Sequence, residues 1–471
     1  MAVFTISRTP KPLFVNTWLS KAFAFAAVLA VAVTQVAPAS AQSRSLPIVR
    51  DAEIEALVKE YARPILNAAG LGKRSIEIIL VNNNSFNAFV DGRRIFINTG
   101  ALLQSETPNE IIGVIAHEAG HLAGGHQERL RDQIARAKTM AVVAGLLGIG
   151  ATVAGAAAGD GAVAGAGTGI AMGGTEAAMR GLMAYQRTEE ATADRSALTY
   201  LDKTGQSAKG MLTTFGRFQN ALSLSGTRTD PYRVSHPMPR DRISNLETLA
   251  KKSPNFNKTD SPALQRRHDM MRGKIAAYTT GSGSVQRIFR NDPRGIGARY
   301  GDAISTYLNG STKSALSKID ALIKEQPKNP YFHEIRGEVL MKANKPAEAA
   351  KAFQKSYSLD PAKSSMLRMN YGRALMLTGK PANIKASVKE MSAALNRDRE
   401  YTTGYGYLAQ AYGQLGQVAE AELATAEMHY YAGRIQEARI FATRAQQKMK
   451  RGTPDWLRAQ DIINSKPPRR Q

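Results

Sequence analysis

Five residues carry the clearest chemistry in this chain: His117-Glu118-Ala119-Gly120-His121, an H-E-x-x-H in a protein with only seven histidines. Four positions apart on a helix, two imidazoles differ by about 40° around the axis, so both can reach one cation. Glu118 lies about 100° round from His117, close enough to hold a water on that cation without being a ligand. The pattern is that of a hydrolytic zinc site written into one turn of helix. Catalytic zinc usually takes three protein ligands and keeps one position open, so a further His or carboxylate must come from another element. Cysteine cannot supply it, because the chain has none; thiolate sites, cysteine nucleophiles and disulfides are all excluded.

Two places can supply that ligand. One is Arg187-Thr188-Glu189-Glu190-Ala191-Thr192-Ala193-Asp194, where Glu190 and Asp194 share a helix face at i,i+4. The other is His236, in Ser235-His236-Pro237. Glu190 is the preferred third ligand, with Asp194 one turn later accepting the free N–H of a zinc histidine. Glu189, turned about 100° away, reads as a solvent-facing carboxylate. His126 has the spacing of neither a same-face ligand nor a distant one, and reads as a supporting or helix-end residue. His268, His333 and His429 lie outside the constellation, as surface or packing residues.

These side chains need a rigid mount. Thr107 as N-cap, Pro108 as first helical residue and Glu110 as capping-box partner predict where the motif helix starts. Ile111, Ile112, Val114 and Ile115 give its buried side. Upstream, from Ile48 to Leu66, the spacing of Ile54, Leu57, Val58, Tyr61 and Ile65 predicts a helix. Ile76 to Val81 reads as a strand, with Asn82-Asn83-Asn84 as its turn. Asn87 to Val90 and Arg94 to Ile97 read as two short strands around the hairpin signal Asp91-Gly92. A free edge of this sheet could take an extended peptide as an added strand; its plainer role is to cap the helices.

Downstream, residues 139–175 are crowded with Ala and Gly, and Met140 to Gly159 is a 20-residue stretch without charge; Asp160 and Glu176 follow. Its length suits a membrane span, although its glycines make it weakly apolar. A packed helical hairpin, a mobile lid and a segment touching the bilayer all compete. The first two are favoured, since Gly-rich sequence packs closely or moves more readily than it inserts. A second long helix should run from about Glu176 to Lys203, with Met179, Leu182, Met183, Ala191 and Leu198 on one side.

The first 41 residues read as a secretory signal: Arg8, Lys11 and Lys21 without an acid, an apolar run from Ala22 to Val33, then Ala39-Ser40-Ala41. Export to a bacterial periplasm is the simplest destination. The formal charge of +24 suits anionic lipid or acidic proteins, or is only a solvated basic surface. An exported protein seldom meets nucleic acid, so no such partner is expected. A basic helix over about Ala263 to Tyr278 leads to Thr279-Thr280-Gly281-Ser282-Gly283-Ser284, which reads as a domain boundary.

The last third repeats. Gly337-Glu338-Val339-Leu340, Gly372-Arg373-Ala374-Leu375 and Ala409-Gln410-Ala411-Tyr412 begin equivalent stretches 35 and 37 residues apart. Turns follow at Asn344-Lys345-Pro346, Gly379-Lys380-Pro381 and Gly416-Gln417. A period near 34 resembles the tetratricopeptide repeat, whose helix pairs stack into a solenoid that binds segments of other proteins; a plain bundle is the alternative. The expected fold is therefore mainly α. A helical zinc metallopeptidase domain with a small β-sheet (42–280) precedes a linker (281–296), an α-solenoid of repeats (297–464) and a basic tail (465–471).

H-E-x-x-H followed some 70 residues later by Arg187, Glu190, Ala193 and Asp194 as R-x-x-E-x-x-A-D resembles the gluzincin family that includes the CAAX prenyl endopeptidase and the heat-shock membrane peptidase HtpX. Asn87-Ala88-Phe89, Thr99-Gly100 and His236-Pro237 with Arg242-Ile243 extend the match. A signal in front and repeats behind narrow it to the periplasmic branch of that family. The resemblance implies a zinc endopeptidase with one Zn2+ per chain on His117, His121 and Glu190, with Glu118 as general base. It implies misfolded envelope proteins as substrates, the outer-membrane β-barrel assembly machinery as partner through the repeats, and a place in the Gram-negative periplasm, in peripheral contact with the outer membrane or free of it. His236 and Arg242 are candidates to stabilise the oxyanion. His236 has two other readings, a fourth ligand that displaces the water and a surface-loop histidine. A non-catalytic chaperone or adaptor with a closed zinc site is the alternative function.

Overall fold

Helix α1 (Ala52–Ala68) starts where the Asp51 carboxylate accepts the Ile54 amide, and it buries Ile54, Leu57, Val58, Tyr61 and Ile65. The structure is a computed structural model that describes residues 46–158, 161–224, 236 and 240–465. The signal segment 1–41 and residues 466–471 of the tail lie outside the described residues. The helix expected from Ile48 begins later, because Ile48–Val49 pair as strand β1 with β2 (Glu77–Val81). Two apolar residues leading into a helix look the same in sequence whichever element they join.

Strands β3 (Ala88–Asp91) and β4 (Arg94–Asn98) form the predicted hairpin, with Gly92 at φ +59°. The sheet order is β1-β2-β4-β3, antiparallel except for the parallel pair β2–β4. Strand β3 is therefore an outer strand; among the described residues no strand pairs with its far edge, where Gln127 donates to the Val90 carbonyl. After the short α2 (Thr99–Gln104) comes α3 (Pro108–Gly124), in which every residue from Pro108 to His121 is buried. Thr107 occupies the N-cap and Pro108 follows it, but no side-chain cap forms there. Tertiary partners replace the expected capping box: Asp260 accepts the Asn109 amide at 2.9 Å, and Arg217 holds Glu110 at 2.8 Å. Helix α3 packs among α1, the sheet residues Leu80, Ile95 and Ile97, and the helices that follow.

Gly125 ends α3 in the left-handed conformation, φ +66°, and α4 (His126–Ala158) begins at once. Helix α5 (Gly161–Lys203) is longer than expected, starting well before Glu176; its lead is rich in glycine, a poor helix former, so close packing on α4 at Gly167 and Gly174 supports it rather than propensity. The two run antiparallel, since Arg129 meets Tyr185 and Glu189 while Ala144 meets Gly174. Among the described residues, His126–Gly155 is the one stretch long and apolar enough to cross a membrane by length and composition. Helices α6 (Lys209–Leu224) and α7 (Arg240–Ala250) complete the N-terminal core through Met211, Phe215, Leu246 and Ala250.

Helix α8 (Pro262–Thr279) serves two cores at once. Met271 and Ile275 join the N-terminal core, while Met270, Ala276 and Ala277 pack with Tyr300, Ile304 and Phe332. The stretch expected to be a linker is not open: after Gly281 (φ +81°) the chain forms α9 (Ser282–Ile288), whose Val285 is buried against Gly301. Glycine and serine here make a tight turn rather than a tether.

The repeats follow as α10 (Ile296–Asn309), α11 (Thr312–Glu325), α12 (Pro330–Lys342), α13 (Pro346–Leu359), α14 (Ser365–Met376), α15 (Pro381–Arg397), α16 (Thr402–Gln414), α17 (Val418–Tyr431), α18 (Ile435–Gln447) and α19 (Pro454–Asn464). Each packs mainly on its neighbours, giving a row of local cores, as a helical solenoid requires. Gly337 and Gly372 sit where helices cross closely; a Cβ would fall 2.6 Å from the Phe353 ring and 2.5 Å from Met391.

The junction of α1, α8 and the repeats buries charge. Lys274 Nζ lies 2.8 Å from Asp51 and 3.3 Å from both Glu53 and Glu334, and Tyr300 donates its hydroxyl to Glu53 at 3.0 Å. Burial pushes Glu334 up to about 8. Burial also disfavours the Lys274 ammonium, but Asp51 and Glu334 hold its pKa well above the usual value.

Candidate metal centre

Helix α3 presents His117 and His121, α5 presents Glu190, and His236 closes over them; all four are buried, with ligand atoms within 4.8 Å of one another. His117 Nε2 is 3.0 Å from His121 Nε2, 3.3 Å from His236 Nδ1 and 3.3 Å from Glu190 Oε2. Glu190 Oε1 is 3.3 Å from His121 Nε2 and 3.1 Å from His236 Nδ1. Donors bound about 2.0–2.1 Å from a tetrahedral ion stand about 3.3 Å apart. The donor set, two or three imidazoles with one carboxylate, is also the kind that zinc takes, so the residues present fit that ion.

Each histidine is oriented from behind. His117 Nδ1 is 3.0 Å from Asp194 Oδ1, an ion-pair contact in which the N–H is not aimed squarely at the oxygen. His121 Nδ1 faces His126 Nδ1 at 2.9 Å, and His126 Nε2 meets Glu189 at 2.9 Å. Glu189 in turn takes Arg129 at 2.8 Å, so the carboxylate expected to face solvent is instead the anchor of a His126 relay. Sequence spacing could not show this, because the relay forms only where α4 and α5 run side by side. The expected surface-loop reading of His236 is not what is seen: it is 5% exposed, with Nε2 3.4 Å from the Ala88 carbonyl on β3.

Arg242, expected at the oxyanion, grips Asp194 through Nε and Nη2 at 2.5 and 2.8 Å and Glu190 through Nη1 at 2.8 Å. A planar guanidinium placed between two carboxylates aligns with them, which makes Arg242 a clamp on the ligand helix. Phe215, which no sequence signal marked, stands edge-on to His117 and lies 5.3 Å beneath the Arg242 guanidinium. His268 is a packing residue, bonded to Tyr61 and the Ser105 carbonyl. Gly120 brings the two helices together: a Cβ there would fall 2.9 Å from the Ala193 carbonyl oxygen and 3.0 Å from its Cα.

The electrostatics follow from this crowding. Burial opposes charge on His117, yet Asp194 and Glu190 hold its pKa up at about 9. Burial dominates at His121 and pushes it down. Burial would raise Glu190 and Asp194, but His236 and His117 around the first, and Arg242 and His117 around the second, hold both below the usual carboxylate range. Glu118 is fully buried, with neither carboxylate oxygen hydrogen-bonded; His236 Nε2 lies 3.5 Å from its Oε1. Buried acceptors left bare are rare, and they cluster where a ligand is to be met.

Such a centre on an H-E-x-x-H helix defines a metallopeptidase, and residues 49–250 match the model of peptidase family M48. The chain carries an M48 domain and is a metalloprotease, for which a divalent metal is implied. It is 22% identical over 423 residues to the β-barrel assembly-enhancing protease of Escherichia coli (strain K12), covering 87% of this chain and 82% of that one. It is 26% identical over 300 residues to the putative β-barrel assembly-enhancing protease of Vibrio cholerae, covering 61% and 58%. A solved tetratricopeptide repeat protein from Parabacteroides merdae aligns at 13% identity over 54% of this chain and 99% of that one, with a TM-score of 0.28. That likeness adds nothing to what the stacked helices themselves show.

Proposed function

We propose that this chain is a zinc endopeptidase of the Gram-negative periplasm that degrades misfolded or stalled envelope proteins, outer-membrane β-barrel proteins foremost. Its repeats contact partner proteins, the barrel assembly machinery among them. One observation carries the reading: donor atoms at tetrahedral spacing lie beside Glu118, a buried carboxylate with no hydrogen bond. A purely structural metal site has no use for such a base. The names of the curated relatives support the client class.

His117, His121 and Glu190 would hold Zn2+, whose chemistry is to acidify a water and polarise the scissile carbonyl. Glu118 takes a proton from the attacking water and later delivers it to the leaving amine, acting as base and then as acid. Asp194 and Arg242 fix His117 and Glu190 while this happens. The substrate lies extended along β3, adding a strand to the outer edge beside α3. His236 occupies the remaining corner of the cluster, so this is a closed arrangement. Its ring also rests on Ala88, and one movement of His236 would clear both the metal and the Ala88 carbonyl, leaving Gln127 on the Val90 carbonyl to be displaced by the substrate strand.

The test uses purified protein and an unfolded outer-membrane barrel protein. Wild type should cut it, and His236→Ala should cut it severalfold faster with its zinc content unchanged. Glu118→Gln and chelated wild type should not cut. Cutting that survives both treatments sinks the zinc mechanism. If even His236→Ala never cuts, while cells lacking the chain still assemble barrels poorly, the adaptor reading stands in its place.

A further inference from the structure

The α4–α5 pair is built inside out for a helical hairpin in water. Its seam on α4 consists of small residues at coiled-coil spacing, Ala141, Ala144, Gly148, Ala151 and Gly155, all buried or half-buried. Across it, a Cβ on Gly167 would fall 2.5 Å from the Gly148 carbonyl, and one on Gly174 would fall 2.2 Å from Ala144. The large apolar side chains point outward instead: Leu146 is 66% exposed, Leu147 62%, Val153 63%, Ile170 47% and Met172 71%. A water-soluble pair places such residues in the seam. Small residues inside and large ones outside is the packing of helices whose solvent is lipid.

Length and charge point to the same surroundings. Met140–Ala158 contains no charged residue, and 19 residues of helix extend about 28 Å, against about 30 Å for a bilayer hydrocarbon core. Within a helix, away from its ends, the backbone groups bond to one another, as lipid demands. Between Asp132 and the far end of α4 the only charges are Arg136 and Lys138, both exposed at the base of the apolar arm. Arg131 and Arg180 are exposed as well but paired with Asp91 and Glu176, so Arg136 and Lys138 carry the collar's surplus, on a chain that as a whole carries +24. A cationic collar below an apolar arm suits anionic headgroups above hydrocarbon.

We propose that the α4–α5 hairpin inserts its apolar arms into an anionic lipid bilayer, with the Arg136 and Lys138 collar at the headgroups. Two copies packed through this face would bring their collars together, which disfavours a second chain as the cover.

The absence of cysteine allows a direct test on the full chain. An environment-sensitive nitrobenzoxadiazole label is placed at Leu147→Cys and, as a control, at Lys351→Cys on α13. With vesicles of phosphatidylglycerol and phosphatidylethanolamine, the label at 147 should shift to the blue and be quenched by lipids brominated in the acyl chains. The label at 351 should do neither. Adding Leu146→Glu and Val153→Glu to the 147-labelled chain should remove the shift, with helix content and cleavage of a soluble substrate unchanged. Arg136→Glu with Lys138→Glu should weaken vesicle binding by at least tenfold. A label at 147 that stays in water at every lipid ratio overturns the proposal. So does a blue shift that needs no vesicles and grows with protein concentration, since a second copy would then cover the face.

Discussion

Around Lys274 three carboxylates close on one ammonium, whereas around Glu190 three imidazoles close on one carboxylate. Both clusters are buried, and they differ in whether their polar atoms match. The Lys274 ammonium offers three N–H donors to Asp51, Glu53 and Glu334, and Tyr300 supplies a fourth; the cluster is complete as it stands. In the metal centre, nitrogen faces nitrogen at 3.0 and 3.3 Å, where at most one proton fits between each pair, and Glu118 is bare. A buried cluster that satisfies itself joins parts of a fold. One that does not is prepared for something added.

That contrast can be broken, and the largest effect should come at the unsatisfied cluster. Glu118→Gln should lower turnover by about 10²–10⁴-fold while metal analysis shows full occupancy; lost metal would mean that Glu118 is structural after all. At the self-satisfied cluster, Lys274→Met strands three carboxylates and should destabilise the chain by about 3–5 kcal/mol in denaturant melts. Zinc content should not change in that variant, and a drop would show the two clusters to be coupled. Gly120→Ala should cost about 1–3 kcal/mol through overpacking against Ala193. It should also weaken zinc retention against a chelator, unlike an alanine at the exposed Gly283, where the built Cβ meets nothing.

The smallest effect is a slope. Glu334 faces Lys274, Asp51, Glu53 and Glu338, and burial raises it to about 8. A carboxyl whose folded pKa exceeds its unfolded one binds more protons when folded, so its contribution is full below the unfolded pKa. It is lost as pH rises through about 8. The thermal midpoint should therefore fall between pH 5 and 8 more steeply in wild type than in Glu334→Gln. Parallel curves would assign the shared proton elsewhere in the cluster.

The sequence made some of this legible because some of it is local. His117, Glu118 and His121 lie within one turn, and Glu190 and Asp194 share a face one turn apart, so helix geometry alone groups each set. What joins the sets is not local. Arg242 as a clamp, Phe215 under both His117 and Arg242, and the His126–Glu189–Arg129 relay depend on how helices cross, which spacing does not encode. Lys274 read as one more cation on a basic helix, because its acidic partners come from α1 and α12. The α4–α5 stretch was legible as helical and small-residue-rich. Which side its leucines face is a property of the pair.

The touch of Gly120 on Ala193 reaches beyond packing. Because backbone meets backbone there, the gap between the imidazole pair and Glu190 cannot open by a side chain swinging aside. Four ligands around calcium, with bonds of about 2.3–2.6 Å, would stand about 3.8–4.2 Å apart, and its usual six to eight ligands must be oxygens. Donors held at 3.0–3.3 Å suit the shorter bonds of a small four-coordinate ion instead, and only Glu190 among the four offers oxygen. A missing methyl group thus sets how far apart two helices hold their donors, at the separation a small tetrahedral cation asks for.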